Sequence, residues 1–217
     1  LTILAAVVPV LGSALVWGDV PASGPSSMPS ARAVTEAAIA EALAALADRT
    51  ISASQRTARV WQIADRHIEY EALSRLVLGQ FWHQATGEQQ TQFVSEFRRH
   101  IYGVYAQTID GYEDEQVVVT DDREEARGDW TVRTTILSNV RANGKRQQIG
   151  RLDFRLRMIG GQWKAIDVTV EGISVILLYR AQVQAVAATG GMERVLQILR
   201  ARNAPSTRPG GGMDGAK

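Results

Sequence analysis

The 217 residues fit one domain better than two, and an apolar share of 45% with 22% charged residues is that of an ordinary globular chain. A formal net charge of +1, with no basic stripe interleaved with aromatics, argues against a nucleic-acid partner. The lack of cysteine excludes disulfides, thiol catalysis and Cys–zinc sites, but it does not fix the compartment.

In chain order, residues 1–18 are uncharged and rich in Leu, Ala and Val, with Pro9 and Gly12 interrupting them. The stretch is marginal for a membrane span and reads as the apolar region of a secretory signal, with small residues at Val20-Pro21-Ala22 near a cleavage point. An uncleaved anchor or a buried helix is the alternative. We therefore expect a signal or anchor over residues 1–22, a Pro/Ser/Gly linker over 23–32, a single domain over 33–202 and a disordered tail over 203–217.

The linker gives way to an Ala-rich predicted helix over 33–47, with Val34, Ile39, Leu43 and Leu46 near helical spacing. Ser52 or Ser54 caps a second helix carrying Val60, Trp61, Ile63 and Ala64, His67 to Tyr70 marks a break, and a short third helix follows. Thr86 and Gln89 fit a capping box ahead of a long amphipathic helix, where Phe93, Phe97, Ile101 and Tyr105 recur every four residues. After Gly111 the period changes, and residues 116–120, 129–137, 147–158 and 163–171 read as strands. The third alternates Leu152, Phe154, Leu156 and Met158 against Asp153, Arg155 and Arg157, giving an antiparallel sheet with one dry face. Gly172 and an N-cap at Ser174 lead into a helix to about residue 189, and a shorter one covers 192–202. Helices, then a four-stranded antiparallel sheet, then helices make an α+β domain.

Little in this pattern carries chemistry. His67, His83 and His100 lie on separate segments without a metal-binding spacing, and neither a nucleophile elbow nor a phosphate-cradling or dinucleotide glycine loop occurs. No metal and no cofactor are expected. Asp167 and Glu171, four apart on a predicted strand, are the one carboxylate pair that could serve as a base in an apolar cone; the plainer reading pairs them with Arg155 or Arg157 at the strand–helix turn. The apolar residues around the junction at 172–174 either line a cavity or fill a core, and periodicity leaves both open.

Two blocks add a resemblance. Trp163-Lys164, Asp167-Val168, Glu171-Gly172-Ile173-Ser174 and Tyr179-Arg180 form one; Leu76-Val77-Leu78-Gly79-Gln80-Phe81-Trp82, Thr86-Gly87-Glu88-Gln89-Gln90 and Phe93-Val94 with Phe97-Arg98 form the other. In that order and spacing they resemble the MlaC/toluene-tolerance family of periplasmic lipid carriers, over about residues 33–200. Gly87 departs from the family's usual Pro, and Ile166 from its frequent Tyr. The resemblance implies a curved, nuclear-transport-factor-like sheet packed with helices around a deep apolar pocket, and a periplasmic monomer that is not an enzyme. It further implies a phospholipid ligand shuttled between an outer-membrane lipoprotein complex and an inner-membrane ABC transporter complex. On that premise the expected lipid-binding residues are Trp82, Phe97, Ile101, Tyr105, Phe154, Leu156, Val168, Val170, Ile173, Ile176 and Tyr179, with Arg180 at the headgroup. A hopanoid-associated lipid-binding protein is the alternative within that class. Outside it stand an acid/base isomerase using Asp167 and a structural envelope protein with a filled interior.

Overall fold

The computed structural model describes residues 28–142 and 144–204. The expected signal or anchor and most of the expected tail lie outside the described residues. Helix α1 (Ala31–Ala47) starts two residues before the expected residue 33, inside the expected linker, because the Ser30 hydroxyl accepts the Ala33 N–H at 3.1 Å and caps it there. Helices α2 (Ala53–His67), α3 (Tyr70–Leu78), the single turn α4 (Phe81–Gln84) and α5 (Gly87–Asp110) follow. Two reciprocal capping boxes set their starts: Ser52 with Gln55 for α2, and Thr86 with Gln89 for α5.

The sheet is an antiparallel meander of β1 (Gln116–Glu124), β2 (Trp130–Ala142), β3 (Lys145–Ile159), β4 (Gln162–Val170) and β5 (Ile173–Ser174). It is curved and unclosed. Five strands stand where four were expected. The difference is local: Glu171 and Gly172 both take positive φ (49° and 81°), which makes a two-residue hairpin turn and folds Ile173-Ser174 back beside β4. A Cβ makes this conformation costly at Glu171. Its carboxylate accepts the Arg151 N–H at 2.7 Å, and its own N–H donates to the Arg151 carbonyl at 3.0 Å, which holds the turn.

Helix α6 (Val175–Asn203) is two helices joined at Gly191, whose backbone (φ 65°, ψ −173°) is non-helical. That matches the sequence reading of a helix to about 189 and another from 192. Helices α3 to α6 enclose the main core, with Val77, Leu78, Phe93 and Leu196 fully buried at its centre. A much smaller core of Ala31, Val132 and Leu156 lies under the start of α1, closed by Trp130 and Trp163 in edge-to-face contact 6.5 Å apart. Between these two cores the α1–α2 pair spans the dry face of the sheet.

Candidate functional site

Beneath that pair lies a cavity of about 230 Å³ with almost wholly apolar walls. Helix α1 presents one stripe to it: Val34, Thr35, Ala38, Ile39, Ala42, Leu43 and Leu46. Those positions recur at three and four residues, as one helix face must. Yet apart from Thr35 every one of them is only half-buried. Three of the seven are Ala or Thr, too short to reach the sheet opposite, so the stripe faces space where a packed helix would face side chains. From α2 come Val60, Ile63, Ala64 and His67, and the floor is Val117 of β1, Leu152, Phe154 and Leu156 of β3, and Trp163 and Ala165 of β4.

Polar groups in the walls are few and quiet. The Thr35 hydroxyl donates to the Ala31 carbonyl at 2.8 Å, within its own helix. His67 is the only titratable residue of the lining. Burial, reinforced by the Arg66 and Lys164 cations and opposed by Glu41, pushes its imidazole below the ordinary value, so it is neutral at pH 7. An uncharged wall of this kind suits a hydrocarbon and offers nothing to hold an ion.

The cover over the cavity is tied down at its margins. At one end, Arg32 of α1 donates to Asp122 at 3.0 Å; at the other, Arg49, just past α1, donates to Asp114 at 3.3 Å. Helix α2 is held more firmly. Its last turn joins β4 through the Ile68–Ala165 bridge and the Glu69 N–H to Ala165 carbonyl bond of 2.8 Å. On its far face Trp61 stacks on Tyr102 at 4.0 Å, and Asp65 accepts from both Arg98 and Tyr102 of α5. The bonds on α1 are exposed or partly exposed ion pairs, each worth about 0–1 kcal/mol. Helix α1 is therefore the weakly held wall.

Of the residues expected to contact lipid, only Phe154 and Leu156 line this cavity. Trp82, Phe97, Ile176 and Tyr179 are buried in the main core, where Phe97 stacks on Phe93 at 5.4 Å and meets Tyr179 edge-on at 5.2 Å. Ile101 and Val168 pack against that core from its rim. Tyr105 and Val170 are half-buried outside the lining, and Ile173 is exposed because the turn at Glu171-Gly172 throws it outward. Arg180 is exposed on α6, its guanidinium beside Gly79, and does not border the cavity. Ile166, the residue at the family's frequent Tyr position, is the extra residue of a bulge in β4 opposite Arg155/Leu156; it is fully buried and is not part of the wall.

Asp167 and Glu171 do not form a carboxylate pair. Glu171 lies in the turn, off the strand. Asp167 borders a polar groove with Arg133, Arg155 and Thr169, and neither acid touches the apolar cavity. Nor do Arg155 and Arg157 pair with Asp167: both donate to the buried carboxylate of Asp129, at 2.7–3.1 Å. Among the described residues there is no cluster of His, Asp or Glu that could hold a metal, and no helix long and apolar enough to cross a membrane.

Three comparisons bear on this geometry. The family model described as MlaC protein matches residues 36–201. The toluene tolerance protein ttg2D of Pseudomonas putida is 24% identical over 116 residues, 53% of this chain and 51% of that protein, so the chain spans about half the length of that relative. The phospholipid-binding protein of Ralstonia solanacearum, solved in complex with a phospholipid, has a similar fold with a TM-score of 0.69 and 26% identity, covering 81% of this chain and 98% of that one.

Proposed function

The chain belongs to the MlaC protein family, and from that premise we propose that it is a lipid carrier which shelters the acyl chains of a phospholipid between α1–α2 and the sheet. The observation that carries this reading is the half-buried apolar stripe of α1 over a cavity without a charged wall residue. A diacyl lipid exposes about 30 methylenes to water, at ~0.8 kcal/mol each. A soluble host that takes up those chains removes most of that cost, leaves the headgroup wet and needs no catalytic group. The phospholipid bound by the Ralstonia solanacearum protein supports the ligand class.

The wider role follows the family. The protein would act in the periplasm, exchanging cargo with an outer-membrane lipoprotein complex and an inner-membrane ABC transporter complex. The small apolar residues on α1 are the positions to test. Ala42→Phe fills the cavity from a wall that has room for it, so the purified protein should carry far less co-extracted lipid while melting at least as high as wild type. Mass spectrometry of the wild-type extract names the cargo: phospholipid supports this assignment, and a polycyclic lipid moves it to a hopanoid carrier. A wild-type extract with no lipid, or an Ala42→Phe variant loaded like wild type, would refute the site.

A further inference from the structure

We propose that the hairpin joining β2 and β3 is a membrane-docking tip for anionic lipid surfaces, separate from the cavity. Residues 138–150 hold Arg141, Lys145 and Arg146 and no acidic residue. Two large aliphatic side chains are exposed there, Val140 at 69% and Ile149 at 55%. Aliphatic groups set among basic ones on a projecting element suit the boundary between headgroups and acyl chains, where the aliphatics enter and the cations stay at the phosphates.

The local backbone is shaped to give this result. Between the pairs Leu137–Gln148 and Arg141–Arg146, three residues of β2 oppose one of β3. Such a bulge turns side chains out of the regular alternation, and Val140 belongs to it. The Ser138 hydroxyl donates to the Val140 carbonyl at 2.8 Å, and Arg146 donates to the Ser138 carbonyl at 2.8 Å, so the distortion is held from both sides.

Beyond the bulge, Arg141 stands directly across from Arg146. Like charges at facing positions weaken a ladder, so strand pairing gives no reason to keep both. Arg146 is drawn back to the base of the hairpin, where it also donates to the Asp114 carbonyl at 3.4 Å, next to the acidic turn 113–115. Arg141 and Lys145 are exposed and make no ion pair among the described residues. Most exposed arginines of the sheet, by contrast, are matched to an acid: Arg123 to Glu125, Arg133 to Asp121, Arg151 to Asp153 and Arg155 to Asp129. Within the strands of the sheet, the cations without an acidic partner are thus gathered mainly at this hairpin, beside its exposed aliphatics, and a surface of anionic headgroups is their complement.

Co-sedimentation with vesicles tests this, comparing phosphatidylcholine alone with phosphatidylcholine plus phosphatidylglycerol. Wild type should pellet with the anionic vesicles only, and less as salt rises. Each cation removed should weaken binding about fivefold, so R141Q/K145Q should lose about 25-fold. V140S/I149S should lose about tenfold or more. Both variants should melt as wild type does and carry the same lipid, which separates failure here from failure of the cavity assignment. The proposal is overturned if wild type ignores anionic vesicles, or if both variants bind them like wild type. It is equally overturned if V140S/I149S keeps vesicle binding and instead comes out empty of lipid, since those residues would then be the cavity's rim. Loss of binding to a protein partner with vesicle binding intact would overturn it too.

Discussion

The hydroxyl of Ser174 donates to the carboxylate of Asp167 at 2.6 Å while accepting the Leu177 N–H at 3.2 Å. The other carboxylate oxygen of Asp167 accepts the Ile176 N–H at 3.3 Å. Strand β4 thereby caps the first turn of α6 through two side chains, satisfying N–H groups that a helix start otherwise leaves bare. Burial is the largest influence on Asp167 and raises its proton affinity, with the Ser174 hydroxyl and the backbone donors pulling the other way.

Asp167→Asn should therefore act as a cap mutation, not as the removal of a base. An amide keeps one acceptor but presents N–H groups toward existing donors, at a cost of about 1–2 kcal/mol. Thermal melts should show the loss, while lipid content stays at the wild-type level. A variant with wild-type stability that came out empty would contradict the capping role.

Ile176 is 7% exposed within the main core. Ile176→Glu buries a carboxylate with no partner and should cost about 3 kcal/mol or more, seen as a large fall in melting temperature of delipidated protein. Were Ile176 a wall of a wet, empty pocket, the delipidated variant would melt normally and only loading would fall.

Ile176 also shows why the fold was easier to read than the site. Caps, turns and strand alternation are local, and Ser174, Thr86–Gln89, the helix break between residues 189 and 192 and the Leu152/Phe154/Leu156 face were legible for that reason. Core and cavity walls are apolar alike, and what separates them is whether the facing element fills the gap. The large aromatics Trp82, Phe97 and Tyr179 look like pocket residues in the sequence, yet large side chains are those best able to close a core. The available signal was the reverse: a helix whose inward stripe is Ala38, Ala42 and Thr35 among medium-sized aliphatics cannot fill the space below it. Trp163 and Ala165, already inside the family-like block, are the floor opposite. The exposed position of Ile173 depended on Glu171 adopting positive φ, which propensity does not favour.

Asp129, with no exposed side-chain surface, accepts from Arg155 and Arg157 together. Burial raises its proton affinity, but the hydrogen bonds and charges of Arg157 and Arg155 outweigh it, and the net value lies below the ordinary 3.8. The folded chain thus binds fewer protons at this group than the unfolded one. Its contribution is present above pH 3.8 and is lost as pH falls through the lower folded value. Asp129→Asn should lose about 2 kcal/mol at pH 7, discounted for the part-exposed guanidiniums, and should show a shallower acid limb than wild type. Parallel acid limbs in denaturant titrations from neutral to acid pH would count against this assignment.

His67 gives the cavity a pH dependence of opposite origin. Its folded value lies below the ordinary 6.5, chiefly through burial. As pH falls below 6.5 the unfolded chain takes up the proton first, so stability declines from there until the folded value is passed, where the loss is complete. Lipid in the cavity would displace what water still reaches the imidazole and push its value lower again. The loaded form should then resist protonation more than the empty one, and retention should weaken in acid by about tenfold per unit of that extra depression. Wild type should release lipid to acceptor vesicles more readily at pH 5 than at pH 7, and His67→Gln, which has no proton to gain, should release equally at both. A wild type with flat release, or a His67→Gln variant with the wild-type slope, would remove His67 from the account and place the pH dependence, if any, on the headgroup.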